Sequence, residues 1–347
     1  MDLSLFDYYL PPELIAQHPV PDRSESRLLA VSRAQGNFQE YRFREIAGLL
    51  RQGDVLVIND THVYPARLLG EKDPGGARIE MLLLDRLNET DWQVIAYRAN
   101  RLSAGTRVRF SDAFASEVLA SKGDGRFIVR FSWQGDWDET LARHGAIPLP
   151  PYIERSPGNH DPEDPVRYQT VYARKQGRLD SPAAPTAGLH FTAELLQQIR
   201  QQGVEIVSVT LQIGLDTFQP LRSDTVEDHK MHHERYHIPI ETAQAINQAR
   251  RQGRRIVAVG TTALRTLEGA HTPEGIPPGE GQTDLYIYPG YTFQVIDALI
   301  TNFHLPRSSL LLLVSAFMGN ELRKRVYEYA VEQRFRFFSY GDAMLIE

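Results

Sequence analysis

The chain has 347 residues, 42% hydrophobic and 24% charged, a composition that suits one large or two ordinary globular domains and excludes disorder over most of its length. It contains no cysteine, which removes disulfide frameworks, thiolate nucleophiles, Cys-ligated zinc and iron–sulfur clusters. A net charge of −6 argues against a general nucleic-acid coating protein, although binding follows local patches rather than the sum.

The N-terminal stretch MDLSLFDYYLPPEL lacks the basic n-region and apolar h-region of a signal peptide. DVLVIND (54–60) is a short β-branched run ending in polar residues, as a buried strand would. Between 66 and 132 come the β-like runs ARLLG, RIEMLLL, WQVIAY, RVRF and RFIVRF, separated by PGG, LNETD, SAG and KGDG. Those spacers are turn chemistry, so this region predicts a small all-β barrel or sandwich. The stretch IPLPPYIERSPGNHDPEDP (147–165) holds six prolines and reads as a boundary between domains.

Strand and helix then alternate. Thr192 with Glu194 opens a helix through LLQQIRQQ that Gly203 closes, and VEIVSVTLQI is a strand. TAQAINQARRQG predicts a helix capped by Thr242, followed by the strand RRIVAV. GTTALRTLEG is a turn into a helix, LYIYPGYTFQVI has a hairpin pattern around Pro289-Gly290, and SSLLLLVSAFMG is a helix stopped by Gly319. The apolar part of that last helix is about half of the ~20 residues a membrane span needs, which reads as a buried helix of a cytoplasmic protein. The expected fold class is α/β: a discontinuous α/β main domain over 1–64 and 150–347, with a small all-β barrel-like domain inserted over 65–149.

Four polar clusters fall where predicted strands end: Asn59-Asp60-Thr61, Thr186 to His190, Gly260-Thr261-Thr262, and Thr301 to His304. In α/β folds ligands sit outside the carboxyl ends of strands. At Gly260-Thr261-Thr262 a glycine after a strand admits close backbone approach, and free N–H groups with the helix dipole favour a carboxylate; a plain N-cap reads equally well. His190 and His304 have the chemistry of general acid–base groups, while their neighbours Phe191 and Phe303 also fit packed core histidines. His233-Glu234-Arg235-Tyr236-His237 matches the H-E-x-x-H zinc pattern, but that pattern requires a helix and Pro239 follows at once.

Taken in order, these clusters resemble one family, the S-adenosylmethionine:tRNA ribosyltransferase-isomerases of queuosine biosynthesis. The resemblance runs nearly end to end. It includes FDYYLPPELIAQHP, SRLL (26–29), GDVLVINDT (53–61), PARLLG, IPLPPYI, RYQTVYA, AAPTAGLHF (183–191), EDHKMHHE (227–234), VGTTALRTLE (259–268), YIYPGY, DALITNFHLP (297–306) and YGDAMLI. The family pattern in EDHKMHHE is H-x-M-H-x-E, carried by His229, Met231, His232 and Glu234, so the H-E-x-x-H match is coincidental.

The resemblance implies transfer of the ribosyl part of S-adenosylmethionine to tRNA bearing 7-aminomethyl-7-deazaguanine at the wobble position. Epoxyqueuosine would form, with adenine and methionine released. It implies a discontinuous α/β domain with an inserted β-barrel, and no metal or other cofactor, S-adenosylmethionine being a cosubstrate. Such a reaction needs a base beside the sulfonium, an acid for departing adenine and a neutral amine nucleophile. On that chemistry His190 and His304 are the candidates for proton transfer, with Asp60 and Asp297 as partners. Gly260, Thr261 and Thr262 are candidates for the methionine carboxylate, and Asn59, Thr61, Thr186, Gly188, Thr301 and Asn302 complete the substrate site. Arg98, Arg101, Arg107 and Arg109 on the β module are candidates for tRNA phosphates, the remaining expected partner of a monomer. The chain departs from the family at His62, Gln212, Leu215, Asp216 and Gln282. Two other readings stay open: a divergent relative with another acceptor, and a non-catalytic tRNA-binding paralogue.

Overall fold

The computed structural model describes residues 1–97, 102–155, 161–175, 177, 180–214, 221, 225–229 and 231–347. Strands β1 (Arg27–Ser32) and β2 (Asn37–Arg42) pair antiparallel, and β3 (Val55–Asn59) follows. The chain then leaves for a second body, made of β4 (Arg67–Asp73), β5 (Arg78–Arg86), β6 (Asp91–Tyr97), β7 (Arg107–Ser111), β8 (Phe114–Gly123), β9 (Arg126–Trp133), helix α1 (Trp137–His144) and the short β10 (Gly145–Ala146). It returns through the one-turn α2 (Asp164–Arg167), then α3 (Ala193–Gln201), β11 (Glu205–Leu211), β12 (Glu234–Ile238), α4 (Ile240–Arg251), β13 (Ile256–Val259) and α5 (Gly260–Ala270). The remaining elements are β14 (Gly279–Thr283), β15 (Ala298–Asn302), α6 (Ser309–Met318), α7 (Asn320–Glu332) and β16 (Ala343–Ile346).

Among the described residues the main sheet runs β14-β12-β11-β3-β13-β15-β16-β1-β2. Its centre, β11-β3-β13-β15, is parallel, which requires both faces to be covered. The side-chain period of two does this: Val55 and Val57 enter the core beneath α4–α7, while Leu56 and Ile58 enter a second core with Phe43, Phe191 and α3. Because the four strands run the same way, Leu211, Asn59, Val259 and Asn302 all finish at one rim.

The inserted body is a barrel. Strands β4, β5, β6, β9, β8 and β7 follow in antiparallel order and β4–β7 pairing closes the ring, so no long edge is left open. Trp92, Phe114, Phe131 and Trp137 fill it, with Trp137 of α1 stacked on Trp92 at 5.4 Å.

Two local expectations are corrected. Thr242 is no cap: α4 starts at Ile240 behind Pro239, and the Thr242 hydroxyl donates to the Ser208 carbonyl on β11. Residues 285–296 form no hairpin; the N–H groups of Gln294, Val295 and Ile296 go instead to the carboxylate of Glu268 on α5. FASEVLASKG supplies the barrel strand β8 that the sequence reading passed over, and His233 to His237 lie at or in strand β12, not on a helix. No helix among the described residues is long and apolar enough to cross a membrane.

Candidate active site

At the rim where the parallel strands end, Thr186, Gly260, Thr261, Thr262, Thr301, Asn302 and His304 line one cleft. Three chain segments bring them there: the 3₁₀ turn Thr186–His190, the start of α5, and the end of β15. Gly260 takes φ +86 between β13 and α5, a conformation that a side chain strongly disfavours. A Cβ built there would lie 3.6 Å from the Ala187 Cβ, so the α5 N-terminus abuts the 186–187 turn. No side chain caps α5, leaving its first N–H groups and positive dipole end toward the cleft. The Thr262 hydroxyl is buried and has no hydrogen-bond partner. The innermost space is about 40 Å³, which fits a carboxylate- or ammonium-sized group while the rest of a substrate lies outside its mouth.

His304 lines the cleft with its Nε2 2.9 Å from the Thr301 hydroxyl. Its backbone is held separately: its carbonyl accepts from the Tyr8 hydroxyl at 2.5 Å and its N–H donates to the Tyr327 hydroxyl at 3.2 Å. Burial pushes its pKa down to about 3, so the imidazole is neutral near pH 7. His190 sits behind the wall, stacked on Phe43 at 4.9 Å, with Nδ1 2.7 Å from the Ser26 hydroxyl and Nε2 3.1 Å from the Asn302 amide nitrogen. Burial, then the charges of Arg336 and Arg23, push its pKa down to about 3 as well.

The other expected site residues do other work. Asn59 ties strand ends together, its Oδ1 accepting from Leu211 N–H and Thr61 N–H. Thr61 shares a 2.7 Å hydrogen bond with Ser181, and Asp60 accepts from the Thr210 hydroxyl at 2.6 Å. Gly188 packs rather than binds: a Cβ there would fall 1.9 Å from the Tyr172 hydroxyl. Gly188→Ala is therefore expected to lower stability by about 1–3 kcal/mol through overpacking, read from denaturant unfolding. Asp297 is corrected outright. It stands at the start of β15, the far end of the strand from Asn302, where its carboxylate accepts from Ile256 N–H at 2.8 Å.

Sequence reasoning missed Ile213, Leu310, Phe338 and Ser339 in the cleft wall. Phe338 has φ +74, a conformation rare for an aromatic residue, yet nothing local in RFRFFSY signals it. It gave no role to Arg265, which is buried with Glu234 of the H-x-M-H-x-E pattern; their guanidinium and carboxylate meet at 2.5 Å. Glu234 also accepts from Gly214 N–H at 3.1 Å, so the pair secures the segment that carries Ile213 to the cleft.

A groove of about 1890 Å³ runs between the barrel and the sheet domain. Gln212 lines the groove and the next residue, Ile213, lines the cleft. Among its described lining residues, six Lys and Arg face seven Asp and Glu. Arg107 lies between Asp73 and Glu117 on neighbouring strands, and Arg109 is 3.4 Å from Asp112. Arg98, Arg101, Leu215 and Asp216 fall outside the described residues.

A family model described as queuosine biosynthesis protein matches residues 3–346. The chain belongs to that family. Relatives named S-adenosylmethionine:tRNA ribosyltransferase-isomerase include one from Geobacter metallireducens, 51% identical with 98% of each chain covered, and one from Halothermothrix orenii, 48% identical with 100% of each covered. The crystal structure of the S-adenosylmethionine tRNA ribosyltransferase from Thermotoga maritima matches with a TM-score of 0.56 and 37% identity, over 99% of this chain and 100% of that one. The family is one of enzymes, and the α/β domain, its barrel and the cleft at the strand ends all lie within the residues that its model matches.

Proposed function

We propose that the cleft transfers and isomerises the ribosyl moiety of S-adenosylmethionine onto 7-aminomethyl-7-deazaguanine at the tRNA wobble position, forming epoxyqueuosine and releasing adenine and methionine. The observation that carries this reading is Thr262, a buried hydroxyl without a partner at the uncapped N-terminus of α5. An unpaired buried hydroxyl costs about 1–3 kcal/mol, so a ligand group is the natural partner for it. Gly260, Thr261 and Thr262 then hold the methionine carboxylate, where backbone N–H groups and the helix dipole favour an anion. His304 carries proton transfer: its neutral imidazole is the accepting form, and a carboxylate arriving in the same cleft favours the imidazolium. Thr301, at 2.9 Å, orients its Nε2.

The groove beside the barrel is the place for RNA, delivering one base past Gln212 to the cleft. Its mixed charge supports recognition by shape more than by phosphate contacts. Gln212, which lines the groove next to Ile213 of the cleft wall, is also the observation that favours the second reading, an acceptor other than the modified wobble base.

The decisive measurement is adenine release from S-adenosylmethionine in the presence of an anticodon stem-loop carrying 7-aminomethyl-7-deazaguanine. Release with this acceptor supports the reading, and release only with another acceptor supports the second. His304→Ala is expected to abolish turnover with the fold retained. Thr262→Val is expected to raise KM for S-adenosylmethionine about tenfold, the worth of one hydrogen bond to a charged group. Wild-type activity in both variants overturns the assignment.

A further inference from the structure

The side chains of Ser26, His190, Asn302 and Thr186 form one chain of hydrogen bonds that begins in the core and ends in the cleft. Ser26 Oγ is 3.3 Å from the Arg23 carbonyl, 2.7 Å separates Ser26 Oγ from His190 Nδ1, and 3.1 Å separates His190 Nε2 from Asn302 Nδ2. Asn302 Oδ1 lies 3.0 Å from Thr186 Oγ1. An amide nitrogen can only donate, so Asn302 Nδ2 makes His190 Nε2 the acceptor, and that sets the direction of every link. The His190 hydrogen is therefore on Nδ1 and is donated to the Ser26 hydroxyl, whose own hydrogen is left for the Arg23 carbonyl. His190 Nε2 is then bare and accepts from the Asn302 amide N–H, and the Asn302 carbonyl accepts the Thr186 hydrogen.

We propose that this chain commits the hydrogen of the Thr186 hydroxyl to Asn302, so that Thr186 faces the cleft as an obligate acceptor and recognises the α-ammonium of S-adenosylmethionine. The inference deepens the ribosyl-transfer reading and rests on it for the ligand, though not for the direction of the chain. Thr186 adjoins Ala187, which contacts the α5 N-terminus at Gly260. An acceptor therefore stands beside the end of a helix that favours anions, the complement of an amino acid's ammonium and carboxylate on neighbouring atoms. Ser26 and His190 touch no substrate; they are positioning residues, acting through Asn302. The burial that keeps His190 neutral is a condition of the arrangement, because an imidazolium would present a second donor to the Asn302 N–H.

The test has two independent arms. In the first, full-length protein labelled with 15N at histidine is measured by NMR between pH 6 and 8, with His190→Gln identifying the resonance. The Nδ1–H tautomer is expected; the Nε2–H tautomer reverses the chain and overturns the proposal whether or not the enzyme turns over. Ser26→Ala is expected to mix the two tautomers and weaken S-adenosylmethionine binding, with Ser26→Thr restoring both. A variant that only loses stability while His190 keeps its tautomer overturns the role of Ser26. In the second arm, calorimetric titration compares S-adenosylmethionine with its analogue carrying hydrogen in place of the α-ammonium. Thr186→Val is expected to cost on the order of ten- to a hundredfold in affinity for the first and little for the second. Equal losses for both ligands overturn the ammonium assignment.

Discussion

Glu234→Ala is expected to cost about 3–5 kcal/mol of stability, a large share of what a folded domain possesses. The variant leaves the Arg265 guanidinium buried without its carboxylate partner and strips Gly214 N–H of its acceptor. Arg265 already carries one buried guanidinium nitrogen with no partner, so the site has no spare acceptor to offer. Urea unfolding measures the loss. Replacing both members by Met tests the mechanism: an apolar pair of similar volume avoids the uncompensated charge, so the double variant is expected to recover most of the stability lost in Glu234→Ala. A double variant as unstable as the single one would mean that the hydrogen bond to Gly214, not the buried charge, dominates.

Acid is expected to destabilise the chain steeply below pH 6.5, by about 3 kcal/mol at pH 4 for each of His190 and His304. The sign follows from their depressed pKa values of about 3 against an unfolded value near 6.5. Between those limits the unfolded chain binds more protons than the folded one, so stability is complete above pH 6.5 and is lost as pH falls through the window. The slope reaches about 1.4 kcal/mol per pH unit for each histidine. Depressed carboxylates such as Asp91, held low chiefly by hydrogen bonding from Arg130, lose their contribution only further into acid, so the upper part of the window reports the imidazoles. His304→Gln and His190→Gln are each expected to remove a similar share of the slope in unfolding curves recorded from pH 7 to 5. An unchanged slope in both variants would show that neither ring is buried as described.

Much of this architecture was legible before any coordinates. VLVIN and ITN are apolar runs that stop at polar residues, and period-two burial on both faces makes them central parallel strands. Turn residues at short intervals announced the barrel, since such segments cannot continue a strand. The hairpin pattern at 285–296 misled because aromatic and β-branched spacing looks the same whether backbone N–H groups meet another strand or, as here, the Glu268 carboxylate. Thr242 misled because a threonine near a helix start is a cap only when Pro239 does not already begin the turn.

For the site, the sequence by itself determined which chemistry is present: hydroxyls, an amide and two imidazoles at strand ends, a glycine that can take φ +86, and no thiol at all. Only the tertiary structure decided which of them share a space. Asp60 and Asp297 look alike in the sequence, each polar at the edge of a buried strand, yet one closes the carboxyl end of β3 and the other opens β15. His190 and His304 look equivalent too, each beside a phenylalanine; one ring faces the cleft and the other spends both nitrogens on Ser26 and Asn302. Strand direction, helix placement and hydrogen-bond polarity are set by contacts between residues far apart in sequence, as between Ser26 and His190 or Thr186 and Asn302, and local pattern carries no record of those.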